Sequence, residues 1–323
     1  MKKKITKVTV LMPVYNAEKY IGDAIKSVLQ QSFPDFKLLI VNDGSTDQTQ
    51  KIIHSFSDER IHQIHQSHHG IAAALNKGLA ESESMYIARF DADDICLPNR
   101  LEQQVNFLDH HPEHVIVGSE AEYISENAEH LFYFNCVSYS DEEIREKIYR
   151  HCPFIHSSVM YRRDAVEKAG GYSVHAHNFE DYFLWIQLMK IGKFHNLSEQ
   201  LIKVRFNPSS VTIDERWRGR NFRKMKRHII QKGSITEKEG SYLLAIIDSQ
   251  NTSQIKEGSY YALCGKKFLL DKQLPKKARI NFSKAIGIYP YRMDNYVFFI
   301  LSFFPQSFIH WLYQIKAKKM HRL

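Results

Sequence analysis

Three aspartates lie within four residues at the end of an apolar stretch. The sequence "MYIARFDADD" places Asp91, Asp93 and Asp94 directly after a run typical of a buried strand. Like charges this close repel one another unless a cation neutralises them, and a ligand set made only of oxygens favours Mg²⁺ or Mn²⁺. The pattern therefore predicts a divalent metal site built on Asp91 and Asp93. The alternative is a polar turn in which Asp94 caps the next helix.

Two further segments place carboxylates where they can do chemistry. "NDGSTD" (Asn42 to Asp47) is a tight turn in which Gly44 lets the backbone approach a ligand and Asp43 offers oxygens to a base or a ribose. "NFEDYFLWIQL" puts Glu180 and Asp181 at the start of a helix, where a general base would be presented at an open edge. Each segment has an ordinary explanation as well, because βα turns favour such residues and the helix dipole stabilises acids at its N-terminus.

Histidines are frequent, but their placement does not favour a zinc site. The stretch "RIHQIHQSHHG" holds His62, His65, His68 and His69 on a predicted strand and loop, without a matching set of Cys or Asp. His156, in "FIHSSVMYRR", falls in a predicted apolar strand. A contact with substrate and a buried structural histidine are both open for it.

The elements predicted around these residues bring them to one edge of a sheet. Up to about residue 125, apolar runs alternate with helical faces in the order β-α-β-α-β-α-β-α-β, which predicts a mostly parallel, Rossmann-like sheet covered by helices. Ligands bind such sheets at the carboxyl ends of the strands. "PVYN" (Pro13 to Asn16), "NDGSTD" and "DADD" all follow predicted strands, so we expect them to converge. The sequence has no GxGxxG and no GxxxxGK[ST] motif, which disfavours a dehydrogenase fold and excludes a P-loop.

Local signals also mark helix starts and the later part of the chain. Ser45 with Gln48, and Ser140 with Glu143, have the spacing of a capping box. Beyond about residue 214 the sequence predicts helices only, including a helix pair in "SYYALCGKKFLLDKQLPKKARINFSKAIGIYP".

Composition and charge describe a globular protein with a basic C-terminal part. The chain has 323 residues, 43% of them hydrophobic, and a formal charge of +8, which suits a partner carrying phosphates. Basic residues are concentrated in "RWRGRNFRKMKRH" and "KAKKMHRL", and this localised charge fits an anionic membrane face. No nucleic-acid partner is expected.

The two ends of the chain and its cysteines bear on where the protein works. The N-terminus is interpreted as a first strand and not as a signal peptide. The four cysteines form no CxxC pair, and no window is apolar enough to span a membrane. These features together predict a cytoplasmic protein. The segment 289–323 combines aromatic residues with a cluster of Lys316, Lys318, Lys319 and Arg322. It is predicted to lie on the inner face of the plasma membrane, and the alternative is a contact with the helical part or with a second copy in a homo-oligomer.

These segments resemble the inverting family 2 glycosyltransferases, which have the GT-A fold. The resemblance rests on "VTVLMPVYNAEKYIGDAIKSVLQQSFPDFKLLIVNDGSTDQT" and "GIAAALNKGLAESESMYIARFDADDICLPNRLEQQVNFL", the latter as in a bacterial subgroup that builds surface polysaccharides. "HSSVMYRRDAVEKAGGY" and "FEDYFLWIQLMKIGKFHNLSEQLIKVRFNPSSVT" continue it to about residue 213. It covers about two thirds of the chain, with the motifs in order.

The resemblance implies a role for each matching residue. Asp93 would be the direct metal ligand of a DxD motif, Asp91 would lean towards the ribose, and Asp181 of the "ED" pair, next to Glu180, would be the base. The donor nucleotide would contact Pro13, Val14, Tyr15, Asn16, Asp43, Gly44, Asn76 and Asp91. His156 and Arg205 would contact substrate. The chain departs from the family at Asn207, where members often carry the His of an Arg-x-His pattern that contacts phosphate.

The resemblance also implies the reaction and the domain organisation. A sugar would pass from a nucleotide-sugar donor, with UDP as the expected nucleotide and Mn²⁺ or Mg²⁺ as cofactor, to a growing glycan or a lipid-linked acceptor. The glycosyltransferase domain is expected at 1–213, with a nucleotide-binding half at about 1–125 and an acceptor-side half at about 126–213. A helical extension would occupy 214–323. A nucleotidyltransferase that makes sugar nucleotides and a silent sugar-nucleotide-binding scaffold protein remain as alternatives.

Overall fold

The computed structural model describes residues 5–208, 217–305 and 307–309. In chain order the strands are β1 (Val8–Val14), β2 (Phe36–Asp43), β3 (Ile61–Gln66), β4 (Tyr86–Arg89), β5 (Ile95–Cys96), β6 (His114–Ile124), β7 (His130–Phe134), β8 (Met160–Arg162) and β9 (Lys193–Arg205). The helices are α1 (Ile21–Leu29), α2 (Thr49–His54), α3 (Ile71–Ala80), α4 (Arg100–His110), α5 (Asp141–Lys147), α6 (Arg163–Lys168), α7 (Glu180–Leu188), α8 (Arg220–Lys232), α9 (Glu237–Asp248), α10 (Thr252–Leu270), α11 (Pro275–Ile288) and α12 (Met293–Leu301).

The described strands form a sheet in the order β3-β2-β1-β4-β8-β6-β9-β5, with β7 paired to β6. The predicted parallel arrangement holds for β3, β2, β1 and β4. The later strands are antiparallel, since β8 pairs in that sense with β4 and with β6, and β5 with β9. Because the chain leaves β1 towards β2 and β3 on one side and returns to β4 on the other, the loops after β1 and β4 diverge and open a crevice.

Strand β1 shows why this sheet needs helices on both faces. All of its residues are buried. Val10 and Met12 belong to the apolar cluster formed with α1 and α4. Leu11 points to the other face, because side chains alternate along a strand, and it meets α3, where a Cβ on Gly78 would lie 2.1 Å from Leu11 Cδ1. The predicted α/β architecture is therefore confirmed.

The prediction that "FIHSSVMYR" is entirely a strand is wrong at its first half. His156–Ser158 form a single 3₁₀ turn, and β8 begins only at Met160. The Ser158 hydroxyl donates to the carbonyl of Ile155 at 2.9 Å, and the Ser158 N–H donates to the same oxygen. Serine side chains that bond nearby backbone compete with strand pairing in this way.

One of the two predicted capping boxes is confirmed. Ser140 caps α5 by accepting from the N–H of Glu143. The box at Ser45 and Gln48 is wrong, since α2 begins at Thr49 and its first N–H is met by Asp47 Oδ1 at 2.9 Å. Ser45 instead accepts from a neighbouring loop at the edge of the sheet.

The described residues form two compact units. The first contains those of Met1–Tyr123, Tyr133–Arg205 and Lys224–Leu244, and the second those of Ile124–Phe132, Phe206–Arg223 and Ala245–Leu323. In the second unit α10 and α11 form the predicted helix pair, packed so closely that a Cβ on Gly265 would lie 2.7 Å from the ring of Phe282. The domain boundary expected at residue 213 stays a prediction.

Two sequence-based expectations concern membranes: the absence of a spanning segment and the basic cluster near the C-terminus. In the described part of the chain no helix is both long enough and apolar enough to cross a membrane. The basic cluster of Lys316, Lys318, Lys319 and Arg322 lies outside the described residues.

Candidate functional site

The loops that follow β1 and β2 are tied to one another by polar contacts. Asn16 adopts a left-handed backbone (φ 49°) and its N–H donates to Ser45 Oγ at 3.0 Å. In return Asn16 Oδ1 accepts from the N–H of Thr46 at 2.8 Å. Pro13 and Val14 are buried in β1, whereas Tyr15 and Asn16 are exposed. Of the four predicted residues in "PVYN", two therefore shape the strand end and two face outward.

Asp43 is the anchor of the next loop along the sheet edge. This buried carboxylate accepts from Gln66 Nε2 at 2.7 Å and from the N–H groups of His69 and Gly70 at 2.9 and 2.8 Å. Gly44 has φ +77°, and a Cβ there would lie 2.9 Å from the backbone nitrogen of His68. The predicted glycine is thus required by close approach of the 66–70 segment to the turn.

Tyr15 and His68 form a stacked aromatic pair beside Asp43. Their ring centroids are 4.1 Å apart and the planes differ by 25°. His68 Nδ1 lies 2.9 Å from Asp43 Oδ2, which fixes the orientation of the imidazole. Tyr15 is 47% exposed, so the pair offers a flat apolar surface with a carboxylate at its edge. From the sequence, His68 was considered only as a zinc ligand, and its place beside Tyr15 was not predicted.

The three aspartates after β4 form the acidic cluster predicted from the sequence. One carboxylate oxygen each from Asp91, Asp93 and Asp94 lies within 4.8 Å of the others. Partial burial, reinforced by the charge of Asp91, raises the pKa of Asp93 to about 7. Burial and the charges of its two neighbours hold the pKa of Asp94 well above its ordinary value. Carboxylates that resist ionisation in this way fit a site completed by a cation, because a divalent ion would supply the missing positive charge.

Arg205 holds this cluster in place from the end of β9. Its backbone N–H donates to Asp94 Oδ1 at 2.8 Å, and its Nε donates to the carbonyl of Asp93 at 2.9 Å. The guanidinium lies 4.6 Å from the ring centroid of Tyr20. Arg205 was predicted as a substrate contact, and that role stays a prediction beside the structural one seen here.

Arg89 is a functional candidate that sequence analysis missed. It is 1% exposed at the end of β4 and forms an ion pair with Asp91 through Nη1. Its charge also acts on Asp93, Glu180 and Asp181, where it lowers the pKa against the effect of burial. The available signal was an arginine inside the apolar run "YIARF", since a buried charge needs a partner.

Glu180 and Asp181 open α7 as predicted and are brought to the same place. Burial, with the charge of Asp181, raises the pKa of Glu180 to about 7, and Asp91 contributes to that rise. Burial also raises the pKa of the half-buried Asp181, although the N–H of Tyr182 bonds its Oδ1 at 2.6 Å and Lys226 favours its charge. Carboxylates whose pKa is raised in this way are suited to accept a proton during a reaction.

Lys226 is a second residue that sequence analysis missed. It belongs to the part of α8 in the first unit, and its ammonium lies 5.0 Å from the ring centroid of Tyr182 and 5.9 Å from that of Phe179. Only the fold brings it near Asp181, because the two are far apart in the chain and the basic run around it, "RNFRKMKRH", marks no single lysine.

His156 and Asn76 meet through Tyr172. His156 Nε2 lies 2.9 Å from the Tyr172 hydroxyl, and Asn76 holds both backbone groups of Tyr172, donating to its carbonyl at 2.7 Å and accepting from its N–H at 2.8 Å. Burial and the charge of Arg89 put the pKa of His156 well below its ordinary value, so the imidazole is neutral. Tyr172 therefore links neutral His156 to Asn76, and the predicted contacts of these two residues with substrate and donor stay predictions.

Comparison with known proteins identifies the family and the fold of this chain. The model of the family "Glycosyl transferase family 2" matches residues 9–170. The amylovoran biosynthesis glycosyltransferase AmsE of Erwinia amylovora is 30% identical over 215 residues, which cover 65% of this chain and 80% of that protein.

Two solved structures share the fold. TarS 1–349 of S. aureus, in complex with UDP-GlcNAc, has a TM-score of 0.57 at 16% identity, covering 90% of this chain and 89% of that one. The mannosyltransferase PcManGT of Pyrobaculum calidifontis, in complex with GDP-Man and Mn²⁺, has a TM-score of 0.54 at 16% identity, covering 93% and 86%. Because the family match covers half of the sequence, the chain belongs to glycosyl transferase family 2, and it has the GT-A fold.

Proposed function

We propose that this protein transfers a sugar from a nucleotide-sugar donor to a hydroxyl group of a glycan or lipid-linked acceptor, with inversion at the anomeric carbon. The observation that carries the proposal is the acidic cluster of Asp91, Asp93 and Asp94 at the end of β4, with the Glu180–Asp181 pair coupled to it electrostatically. A cation site and a proton acceptor at one sheet edge are what such a transfer requires.

The nucleoside end of the donor is assigned to the loops after β1 and β2. The stacked rings of Tyr15 and His68 offer a platform for a planar base, and the Asp43 carboxylate beside them accepts N–H donors. Gly44 leaves room for the ligand as well as for the 66–70 segment. UDP is the nucleotide to test first, and GDP is the alternative. A uracil N–H would compete for Asp43 with the groups that now bond it.

The diphosphate is assigned to the cluster after β4. Asp93 and Asp91 would hold Mn²⁺ or Mg²⁺ through carboxylate oxygens, and the raised pKa of Asp93 supports a cation there. When bound, the ion supplies Lewis-acid neutralisation of the charge that grows on the leaving diphosphate. Arg205 joins the end of β9 to the Asp93–Asp94 segment of this cluster.

Asp181 is assigned as the general base, with Glu180 beside it. The acceptor oxygen forms a bond to the anomeric carbon as the bond from that carbon to the diphosphate oxygen breaks, and the hydroxyl proton passes to Asp181. The nucleoside diphosphate leaves with the bonding electrons. A single displacement of this kind inverts the anomeric centre.

Surface polysaccharide synthesis at the cytoplasmic face of the membrane is the proposed setting. Support comes from AmsE, whose name places it in amylovoran biosynthesis. The acceptor would then be a lipid-linked or growing glycan, and a homo-oligomer is compatible with this setting.

The test is donor binding and turnover with Asp93→Ala and a matched control. Wild-type protein should bind UDP more tightly with Mn²⁺ than without it in calorimetry, and a panel of nucleotide sugars should reveal a donor that is hydrolysed or transferred. Asp93→Ala should lose the gain in UDP affinity that Mn²⁺ gives, whereas Asp23→Ala, at an exposed position on α1, should keep this gain. Unchanged Mn²⁺-dependent affinity in Asp93→Ala refutes the metal assignment. Donor binding without turnover of any donor selects the scaffold protein.

A further inference from the structure

Helix α12 presents an apolar face to solvent. Met293, Val297 and Ile300 are 70%, 54% and 59% exposed, and their spacing of four and three residues puts them on one side of the helix. Phe303 and Phe304 follow directly and are exposed as well. We name these five residues the α12 face.

The opposite side of α12 is apolar too. Phe298, Phe299 and Leu301 pack against a cluster of Leu269, Ala278, Phe282 and Ile309 within the same unit. A surface helix ordinarily has a polar outer side, and an exposed apolar patch marks an interaction surface. Packing within the unit therefore explains why one side of α12 is apolar. The apolar residues on the other side are explained if a partner binds there.

Charge identifies the kind of partner. Residues 245–323 contain 13 Lys and Arg against 4 Asp and Glu, whereas residues 1–244 contain 31 against 32. The whole positive surplus of the chain thus lies in the part that carries the α12 face. A second copy would bring the same surplus to the contact and repel it, whereas an anionic surface would be attracted.

The start of α11 places part of this charge beside the face. Lys276 and Lys277 lie in its first turn, which has no acidic residue, although the helix dipole disfavours cations there, and Arg279 follows in the second turn. The Arg279 guanidinium lies 4.6 Å from the ring centroid of Phe303, and Lys277 is 3.6 Å from Glu129. Arg279 also donates to the carbonyl of Ser302 at 2.8 Å, so it has a structural role. The helix dipole gives no reason for Lys276 and Lys277 in the first turn, whereas an anionic ligand would.

We propose that the α12 face binds an anionic lipid surface, with Met293, Val297, Ile300 and the two phenylalanines entering the interface and the start of α11 contacting headgroups. Apolar insertion and basic residues together give reversible peripheral binding. The surface extends the proposed function to the membrane that would hold a lipid-linked acceptor, but lipid binding itself is independent of sugar transfer.

The experiment is co-sedimentation of the full chain with phosphatidylcholine vesicles that contain or lack about one third phosphatidylglycerol. Wild-type protein should bind the anionic vesicles, and more weakly as salt rises. Val297→Gln combined with Ile300→Gln should reduce binding roughly tenfold or more, because both changes remove apolar area without touching the core. Lys276→Glu should reduce it several-fold.

Matched controls and opposite outcomes keep the proposal testable. Val174→Gln and Lys51→Glu, at exposed positions of the first unit, should bind vesicles as wild type does. The proposal is overturned if the α12 variants bind vesicles as well as wild type does. It is also overturned if wild type binds equally well with and without phosphatidylglycerol. A wild-type dimer that the Val297 and Ile300 changes abolish would assign the face to a second copy instead. Co-sedimentation measures lipid binding and not sugar transfer. If the protein transferred no sugar in a separate assay, the conclusion on lipid binding would therefore still stand.

Discussion

At the residue scale, the site is a group of carboxylates arranged around the buried charge of Arg89. The guanidinium pairs with Asp91, yet the pKa of Asp93 and that of Glu180 still rise to about 7. One positive charge is therefore too little for the carboxylates that it faces. The remaining negative charge fits a divalent ion that arrives with the donor.

Asp181→Asn should test the assignment of the base. Asparagine keeps the shape of the side chain but takes up no proton, so turnover should fall by roughly 100-fold or more while UDP affinity stays within about threefold of wild type. Steady-state transfer kinetics and UDP calorimetry measure the two quantities. If Asp181→Asn transfers sugar at nearly the wild-type rate and Glu180→Gln does not, the base is Glu180.

At the element scale, α3 is connected to the site through Asn76. The side chain of Asn76 bonds both backbone groups of Tyr172, and the Tyr172 hydroxyl contacts His156. Gly171, just before Tyr172, has φ +72°, and a Cβ there would lie 2.8 Å from Asn76 Oδ1. The glycine and the asparagine thus fix the segment after α6 against α3.

Asn76→Ala and Asn76→Asp should separate a positioning role from direct donor binding. Alanine loses both bonds to Tyr172, so the free energy of unfolding should fall by about 1–3 kcal/mol. Aspartate keeps the bond from the Tyr172 N–H but turns a carboxylate oxygen towards the Tyr172 carbonyl, so it should lose at least as much. Urea denaturation and UDP calorimetry check this, with Lys77→Ala, exposed on the same helix, as the control. A stable Asn76→Ala protein that fails to bind UDP would instead make Asn76 a donor contact.

At the scale of the whole molecule, the crowded carboxylates should make stability depend on pH. The pKa of Glu180 is about 7 in the folded protein against an ordinary value of 4.5, so the folded state binds more protons than the unfolded state in this range. Stability should therefore fall as pH rises from about 4.5 to about 7, and level off above that. The raised pKa of Glu180 already includes the effects of the charges around it, which belong to Asp181, Asp91 and Arg89.

Glu180→Gln should remove this contribution. Between pH 5 and pH 8 the unfolding free energy of wild type should fall by about 2 kcal/mol more than that of the variant. Urea titrations at both pH values measure the difference, and Glu59→Gln, at an exposed position, serves as the control. Parallel pH profiles for wild type and Glu180→Gln would show that this carboxylate ionises normally in the folded protein.

The sequence by itself determined the order of the first elements and the acidic cluster. Continuous apolar runs, such as those within "KVTVLMP" and "FKLLIVND", predict strands that are buried in a parallel sheet. Polar residues that follow such strands must lie at one edge of the sheet. Asp91, Asp93, Asp43 and Glu180 were identified because charged residues at such places stand out against their neighbours.

Only the tertiary structure decided which residues act together. Arg89, Lys226 and His68 come into the site through contacts with groups that are distant in the chain or on another loop, and no local period records such contacts. The same holds for the antiparallel half of the sheet and for the 3₁₀ turn at His156, where serine hydroxyls override an apolar pattern. Local pattern sets the type of an element, whereas burial and charge at a site depend on everything that packs around it.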